Sequence, residues 1–309
     1  MISGSQDSQG ILYIVPVPIG NLKDITYRAV ETLRSVDTIA AEDTRNLREL
    51  RRCYEIRTRA ISYHDFNEQT RSRQIVRRLL VGESFALVSD AGTPLINDPG
   101  FRLVRSCIES KIRIVSLPGA CAAVTALAAS GLPVNHFRFL GFPPRTSSSR
   151  RLFFQDLRQE SSTLIFYEAP HRLLATLADL LDQLGDRQIV LARNLTKPGE
   201  IYQRASITEA LEELTPEEKP RGEITLLVSG ATVEEQASAS RTTAEDHIHH
   251  LLKQDLDTKT ILREVLSDYP LNRREVYGMI LAARQENRLV DSAEKETFQA
   301  DNGVTDDTP

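Results

Sequence analysis

Five short apolar runs in the first 120 residues each stop at a loop of small, acidic and turn-forming residues, and this repetition narrows the fold more than any other feature. The clearest case is Phe85–Val88, followed by S-D-A-G-T-P-L-I-N-D-P-G over residues 89–100. Such a run, cut off by glycine, proline and aspartate, is how a parallel strand delivers a backbone-lined loop to the carboxyl edge of its sheet. The runs Leu12–Val17, Thr38–Ala41, Arg59–Tyr63, Phe85–Ser89 and Arg113–Leu117, with amphipathic stretches between them, predict strands joined by helices in a largely parallel sheet. Gly92 frees the backbone to approach a ligand, Thr93-Pro94 and Asp98-Pro99 stiffen the turns, and Asp90 offers a carboxylate. Taken alone, such a loop is also compatible with an acidic surface turn. Two prolines, two glycines and two aspartates directly after a core strand favour a binding site.

A chain of 309 residues with 40% hydrophobic content exceeds a single core, which stops growing at roughly 250 residues. Residues 11–119 are expected to form an amino-terminal α/β domain, after a disordered tail over residues 1–10. A second α/β domain spans 120–230, with strands Phe137–Gly141, Thr163–Tyr167, Gln188–Ala192, Ile201–Arg204 and Glu223–Val228. The last three strands are too closely spaced for helical crossovers throughout, so this sheet should be mixed or antiparallel. A polar linker over 231–243 leads to a helical extension over 244–288, with helices Ala244–Gln254, Lys259–Ser267 and Asn272–Gln285. The turn at Tyr269-Pro270 weakly resembles a helix-turn-helix junction; a packed helical cap is the simpler reading. The acidic tail over 289–309 reads as disordered.

The net charge of -5 is unevenly placed: residues 291–309 hold six acids and one lysine, so the rest of the chain sums to zero. Between Arg45 and Arg78 lie ten arginines, no lysine and four acids. Arginine suits planar, bidentate phosphate contacts, which points to a nucleic-acid footprint. Charge alone fits a solvated helix face equally well, with i,i+4 pairs such as Arg45 with Glu49. Cys53, Cys107 and Cys121 lack metal spacing and are odd in number, so neither a metal site nor a disulfide framework is expected. The amino terminus has no basic and apolar leader pattern and no apolar run approaches the roughly 20 residues of a membrane span, so a cytoplasmic protein with no membrane partner is expected.

G-x-G-x-x-G, Walker A, H-E-x-x-H and G-x-S-x-G strings are absent. Four further strand-end loops are present: P-V-P-I-G-N-L at 16–22, A-E-D-T-R at 41–45, L-P-G-A-C-A at 117–122 and F-Y-E-A-P-H-R at 166–172. With 89–100, these strings in this order resemble the tetrapyrrole methylase family, the class III S-adenosylmethionine methyltransferases, and within it the branch that methylates ribosomal RNA at a cytidine 2′-hydroxyl of 16S rRNA. The resemblance runs from about Ile11 to Gly230 and, more loosely, through the terminal helices. Most tetrapyrrole-modifying relatives carry G-x-G-P-G in the first loop; P-V-P-I-G-N-L points away from a porphyrinoid substrate.

The resemblance implies two α/β domains with S-adenosylmethionine in the cleft between them. It assigns Asp90, Ala91, Gly92 and Thr93 to the methionine end, with Asp98 in the same loop. Cys121 and Ala122 fall on the ribose and adenine side, Phe166, Tyr167, Gly222, Glu223 and Ile224 on the adenine wall, and Pro18 and Gly20 on the rim. Methyl transfer to a ribose hydroxyl requires a proton acceptor, and Glu42, Asp43, His64, Glu168, His171 and Lys197 are candidates. Glu42 or Asp43 is favoured because their loop also carries Arg45, which could hold an adjoining phosphate. His171 could equally be an ordinary helix-start residue and Lys197 only a phosphate ligand. Arg45, Arg48, Arg51, Arg71, Arg150 and Arg151 are the expected RNA contacts, with Arg273 and Arg274 as further candidates. Tyr54, Tyr63 and Phe66 interleave with the first arginines as core or base-stacking residues. Similar proteins are homodimers, and the resemblance implies 16S rRNA in the small ribosomal subunit as the partner. Methylation of a porphyrinoid or protein on the same fold, and a silent RNA-binding module, are the competing readings.

Overall fold

The computed structural model describes residues 9–214, 222–254, 256–269 and 271–285. The expected tail over 289–309, and that at the amino terminus up to residue 8, lie outside the described residues. Strands β1 (Ile11–Ile14), β2 (Thr38–Ala41), β3 (Arg59–Ser62), β4 (Phe85–Val88) and β5 (Arg113–Ser116) form the first sheet in the order β3-β2-β4-β1-β5. Every pairing in it is parallel. Central β4 is buried along its whole length because alternate side chains enter two cores. Phe85 and Leu87 pack with Leu12, Ile75 and Leu103, while Ala86 and Val88 pack with Leu33, Ile39 and Leu47. The crossovers are α1 (Tyr27–Ser35), α2 (Leu47–Cys53), α3 (Glu68–Leu80) and α4 (Phe101–Glu109). Thr26 starts α1 by accepting from the Ala29 N–H at 3.0 Å.

The second sheet contains β6 (Phe137–Phe139), β7 (Thr163–Glu168), β8 (Gln188–Arg193), β9 (Ile201–Ser206) and β10 (Ile224–Val228), in the order β6-β7-β10-β8-β9. Only β6 and β7 run parallel; β10 is antiparallel to β7 and β8, and β8 to β9. Its helices are α5 (Ala122–Ser130), α6 (Ser147–Gln155), α7 (Leu173–Leu184) and α8 (Ile207–Glu213). Ala123, Ala126 and Leu127 of α5 cover one face against Ile165 and Leu227, while Phe154 and Leu177 cover the other against Phe166 and Leu226. Both sheets belong to one compact unit.

A second unit contains α9 (Val233–Lys253), α10 (Thr258–Asp268) and a helix over 273–285, packed around Ile248, Ile261, Val265 and Ile280. The linker expected over 231–243 is not found: helix α9 occupies 233–243. Thr232 accepts from the Glu235 N–H and the Glu235 carboxylate accepts from the Thr232 N–H, a capping box that starts the helix a full three turns early. No helix among the described residues is long and apolar enough to cross a membrane.

Candidate active site

The loops after β1, β2, β4 and β5 all leave the carboxyl edge of the parallel sheet, and hydrogen bonds bind them to one another. Val17 and Gly92 exchange N–H···O bonds in both directions, at 2.9 and 3.0 Å. Gly92 has φ +75°, and a Cβ there would sit 3.2 Å from Ile19 Cγ2, so a side chain meets both backbone strain and a crowded neighbour. Thr93 Oγ1 donates to the Ala120 carbonyl at 2.8 Å, fastening the β4 loop to the β5 loop. Leu95 and Asn97 also adopt positive φ, 73° and 69°, concentrating backbone strain in the same segment.

These loops and the second sheet enclose a cavity of about 410 Å³. Asp90, Ala91, Gly92, Thr93 and Asp98 line it from the β4 loop, Cys121 and Ala122 from the start of α5, and Tyr167, Gly222, Glu223 and Ile224 from the second sheet. Glu42 lines it as well. Pro18 and Gly20 instead line an adjoining cavity of about 290 Å³, which shares Ile19, Asp90, Ala91 and Glu223 with the first and also receives Lys197. Phe166 does not reach the cleft: it is fully buried against Phe154 and Leu177, because adjacent strand residues point to opposite faces and Tyr167 takes the cavity side. Ile19, Ile96, Asn97, Phe142, Ala169, Pro170 and Thr225 are lining residues that motif reading did not single out. The positive φ of Gly141, just before Phe142, has no sequence signal beyond the glycine itself.

Among the described residues, five carboxyl groups line the chamber, those of Glu42, Asp90, Asp98, Glu168 and Glu223. Asp90 is committed to the β2 loop, accepting from the Asp43 N–H at 3.0 Å and from Asn46 Nδ2 at 2.9 Å. Burial, followed by the Asp90 charge, pushes the Glu42 carboxyl above its usual range. Burial and the Glu42 charge push Asp98 up to about 6, opposed by a hydrogen bond with the Ser89 hydroxyl. Asp43 behaves in the opposite way: Arg45 grips its carboxylate through Nε and Nη2, at 3.0 and 2.6 Å, and holds it down to about 2. Asp43 is absent from the cavity lining, so the expectation that it serves as base does not fit this geometry. The other sequence candidates are engaged or exposed. Lys197 Nζ pairs with Glu223 at 2.7 Å, and His171 lies on an exposed turn. Glu168 also lines the cavity, but it is buried and accepts from Thr176 Oγ1 at 2.6 Å and the Ala169 N–H at 2.8 Å. His64 accompanies Asn67 in the loop after β3.

The arginines divide similarly. Arg45 and Arg48 are exposed, Arg51 Nε donates to the Ile56 carbonyl at 3.2 Å, and Arg71 donates to Gln74 Oε1 at 2.9 Å. Arg150 is 3% exposed, paired with Asp179 and bonded to the Pro144, Arg145 and Ala175 carbonyls, so the expected RNA contact is a structural tie. One position along the helix, Arg151 is half-exposed and pairs with Asp182 at 2.5 Å.

A compact unit built on a parallel and a mixed sheet recurs among solved structures. Uroporphyrin-III-C-methyltransferase from Thermus thermophilus superposes with a TM-score of 0.52 at 18% identity, covering 72% of this chain and 94% of that one. A diphthine synthase superposes with a TM-score of 0.55 at 12% identity, covering 74% and 94%. At these identities the likeness concerns the fold. The family profile of the Tetrapyrrole (Corrin/Porphyrin) Methylases matches residues 11–211. The chain belongs to the tetrapyrrole methylase family. Relatives named ribosomal RNA small subunit methyltransferase I are 45% identical in Micromonospora olivasterospora, over 89% of this chain and 88% of the relative. In Escherichia coli O157:H7 the relative of that name is 50% identical, over 78% and 86%.

Tetrapyrrole methylases use S-adenosylmethionine as methyl donor. The residues here fit that group. The cavity volume lies within the roughly 300–1,000 Å³ of cofactor sites. Its described lining includes Glu42, Asp90 and Asp98 but no lysine, arginine or histidine, the polarity a sulfonium cation requires.

Proposed function

We propose that this protein methylates the ribose 2′-hydroxyl of a cytidine in 16S rRNA of the small ribosomal subunit. The observation that carries the reading is the acid-lined cavity at the fused loops, with no cation in its described lining, in a chain sharing 41–50% identity with relatives named for small-subunit rRNA methylation. Bound there, S-adenosylmethionine would supply an electrophilic methyl group on its sulfonium.

Asp90 and the Ala91–Thr93 backbone would hold the methionine end, Cys121 and Ala122 the ribose side, and Tyr167 with Gly222, Glu223 and Ile224 the adenine wall. Alignment of acceptor and methyl by a rigid cleft can contribute up to about 7–11 kcal/mol. The hydroxyl proton passes to a carboxylate oxygen of Asp98 or Glu42, groups lifted toward neutrality by burial and mutual repulsion. Arg45, Arg48, Arg51, Arg71 and Arg151 provide the cationic surface for the RNA backbone. The reading includes a cytoplasmic homodimer, supported by Phe101 and Ile108, two turns apart on α4 and both exposed.

The decisive test supplies labelled S-adenosylmethionine to small subunits from a strain lacking the gene, followed by nucleoside mass spectrometry. A 2′-O-methylated cytidine that disappears with Gly92→Arg supports the reading. Cofactor binding by the wild-type protein without incorporation into the subunit defeats it.

A further inference from the structure

Three aromatic residues interleave with the arginines between Arg45 and Arg78, and the fold disposes of two. Tyr63 is fully buried, with its hydroxyl bonded to Glu68 and Ser72, and the Tyr54 hydroxyl donates to the Leu22 carbonyl at 2.7 Å. Phe66 is 100% exposed. Lone exposed apolar side chains are common on protein surfaces, so exposure alone decides nothing. Location and rigidity do.

Phe66 sits in the loop that follows β3, the neighbour of β2. The Tyr63 N–H donates to the Ala41 carbonyl at 2.7 Å, so the two chains leave the sheet side by side, one toward Phe66 and the other toward Glu42. Glu68, two residues past Phe66, accepts from the Gly100 N–H at 3.1 Å, which ties this segment to the end of the cavity loop that carries Asp98, and the Asp65 charge acts on both Glu42 and Asp98. The loop is also held in shape. The His64 N–H donates to Asn67 Oδ1 at 3.0 Å, the Asn67 N–H returns to the His64 carbonyl at 2.9 Å, and Asn67 Nδ2 lies 3.1 Å from His64 Nε2. The His64 ring meets Phe66 edge-on, with centroids 6.0 Å apart and planes at 66°. A phenyl ring is therefore presented to solvent by a braced loop at the edge of the chamber.

We infer that Phe66 is a stacking platform for an unstacked nucleobase of the RNA substrate, seated beside the cavity that receives the target ribose. The inference rests on the RNA reading above and adds the group that engages the base. Charge supports a base over a phosphate at this spot: Asp65 directly precedes Phe66 and the acids of the cavity lie beyond it, while exposed Arg45 and Arg48 lie one loop away, where the backbone can be met. A base face carries no charge and tolerates the acids.

Stacking on a single aromatic side chain is worth about 5- to 150-fold in binding. Phe66→Ala should therefore lower kcat/KM for small subunits, and the affinity for a fluorescent single-stranded RNA oligomer, within that range. Binding of S-adenosylhomocysteine and the melting temperature should not change, and Phe66→Trp should restore both RNA readouts. Wild-type RNA affinity in Phe66→Ala, or a loss that Trp fails to rescue, overturns the inference. A change of oligomeric state by light scattering in Phe66→Ala also overturns it, assigning the ring to a subunit contact. If the wild-type protein binds the oligomer through Phe66 yet methylates no subunit, the platform stands and the rRNA assignment falls.

Discussion

At the edge of the first sheet, Glu42, Asp90 and Asp98 share a chamber with no cation in its described lining, whereas behind the second sheet Arg150 and Asp179 meet in near-complete burial. On the second-sheet wall of that same chamber Glu168 is likewise closed off, by Thr176, the Ala169 N–H and Arg172, whose Nη2 also holds the Pro143 and Pro144 carbonyls at 2.7 and 2.9 Å. Both regions bury ionisable groups. One leaves their repulsion standing and the other cancels it. Repulsion raises proton affinity and suits a group that must take up a proton; cancellation produces a tie that holds loops in place and does no chemistry.

Asp98→Asn tests this contrast most severely. It should reduce kcat about a hundred- to ten-thousand-fold, the ordinary range for losing a general base, while S-adenosylhomocysteine binding persists. If the loss appears in Glu42→Gln and not in Asp98→Asn, the proton acceptor is Glu42. Asp179→Ala should leave the activity of folded molecules intact but lower stability by about 3–5 kcal/mol, read from urea unfolding, because Arg150 stays buried without its partner. Wild-type stability in that variant would erase the distinction between the regions.

The next effect is smaller and depends on pH. Because Asp98 binds its proton more tightly folded than unfolded, its contribution to stability is present below the ordinary carboxylate range and is lost as pH rises through about 6. The groups facing it are Glu42, Asp90, Asp65 and Ser89. The melting temperature of Asp98→Asn should therefore exceed that of the wild type near pH 7, and the two should converge by about pH 4. Equal curves at every pH would remove Asp98 from the repulsive cluster. Least of all should change with Arg151→Ala: its half-exposed pair with Asp182 is worth about 0–1 kcal/mol of stability.

Much of the frame is legible because it depends on local pattern. The run at Phe85–Val88 and the spacing between residues 188 and 228 suffice to expect a parallel sheet followed by a mixed one. The early start of α9 was also written in the chain, as Thr232 and Glu235 three residues apart, but an alanine- and serine-rich stretch reads as linker when the cap is overlooked. Within the site, loops were legible and individual roles less so. Phe166 and Tyr167, like Arg150 and Arg151, differ by one step of strand or helix phase, and that step decides between core and surface. Asp43 and Asp98 are both aspartates in strand-end loops; only the fold back of Arg45 onto the first, and the burial of the second, set them apart.

The reciprocal bond between Val17 and Gly92 has a kinetic corollary. Each residue's amide hydrogen is held by the other's carbonyl, so neither loop can expose its backbone to solvent exchange while the other stays closed. The two amides should show one shared protection factor against deuterium exchange, and a ligand in the chamber should raise both by the same factor. The first and fourth strand ends, more than 70 residues apart in the chain, would thus breathe as a single piece.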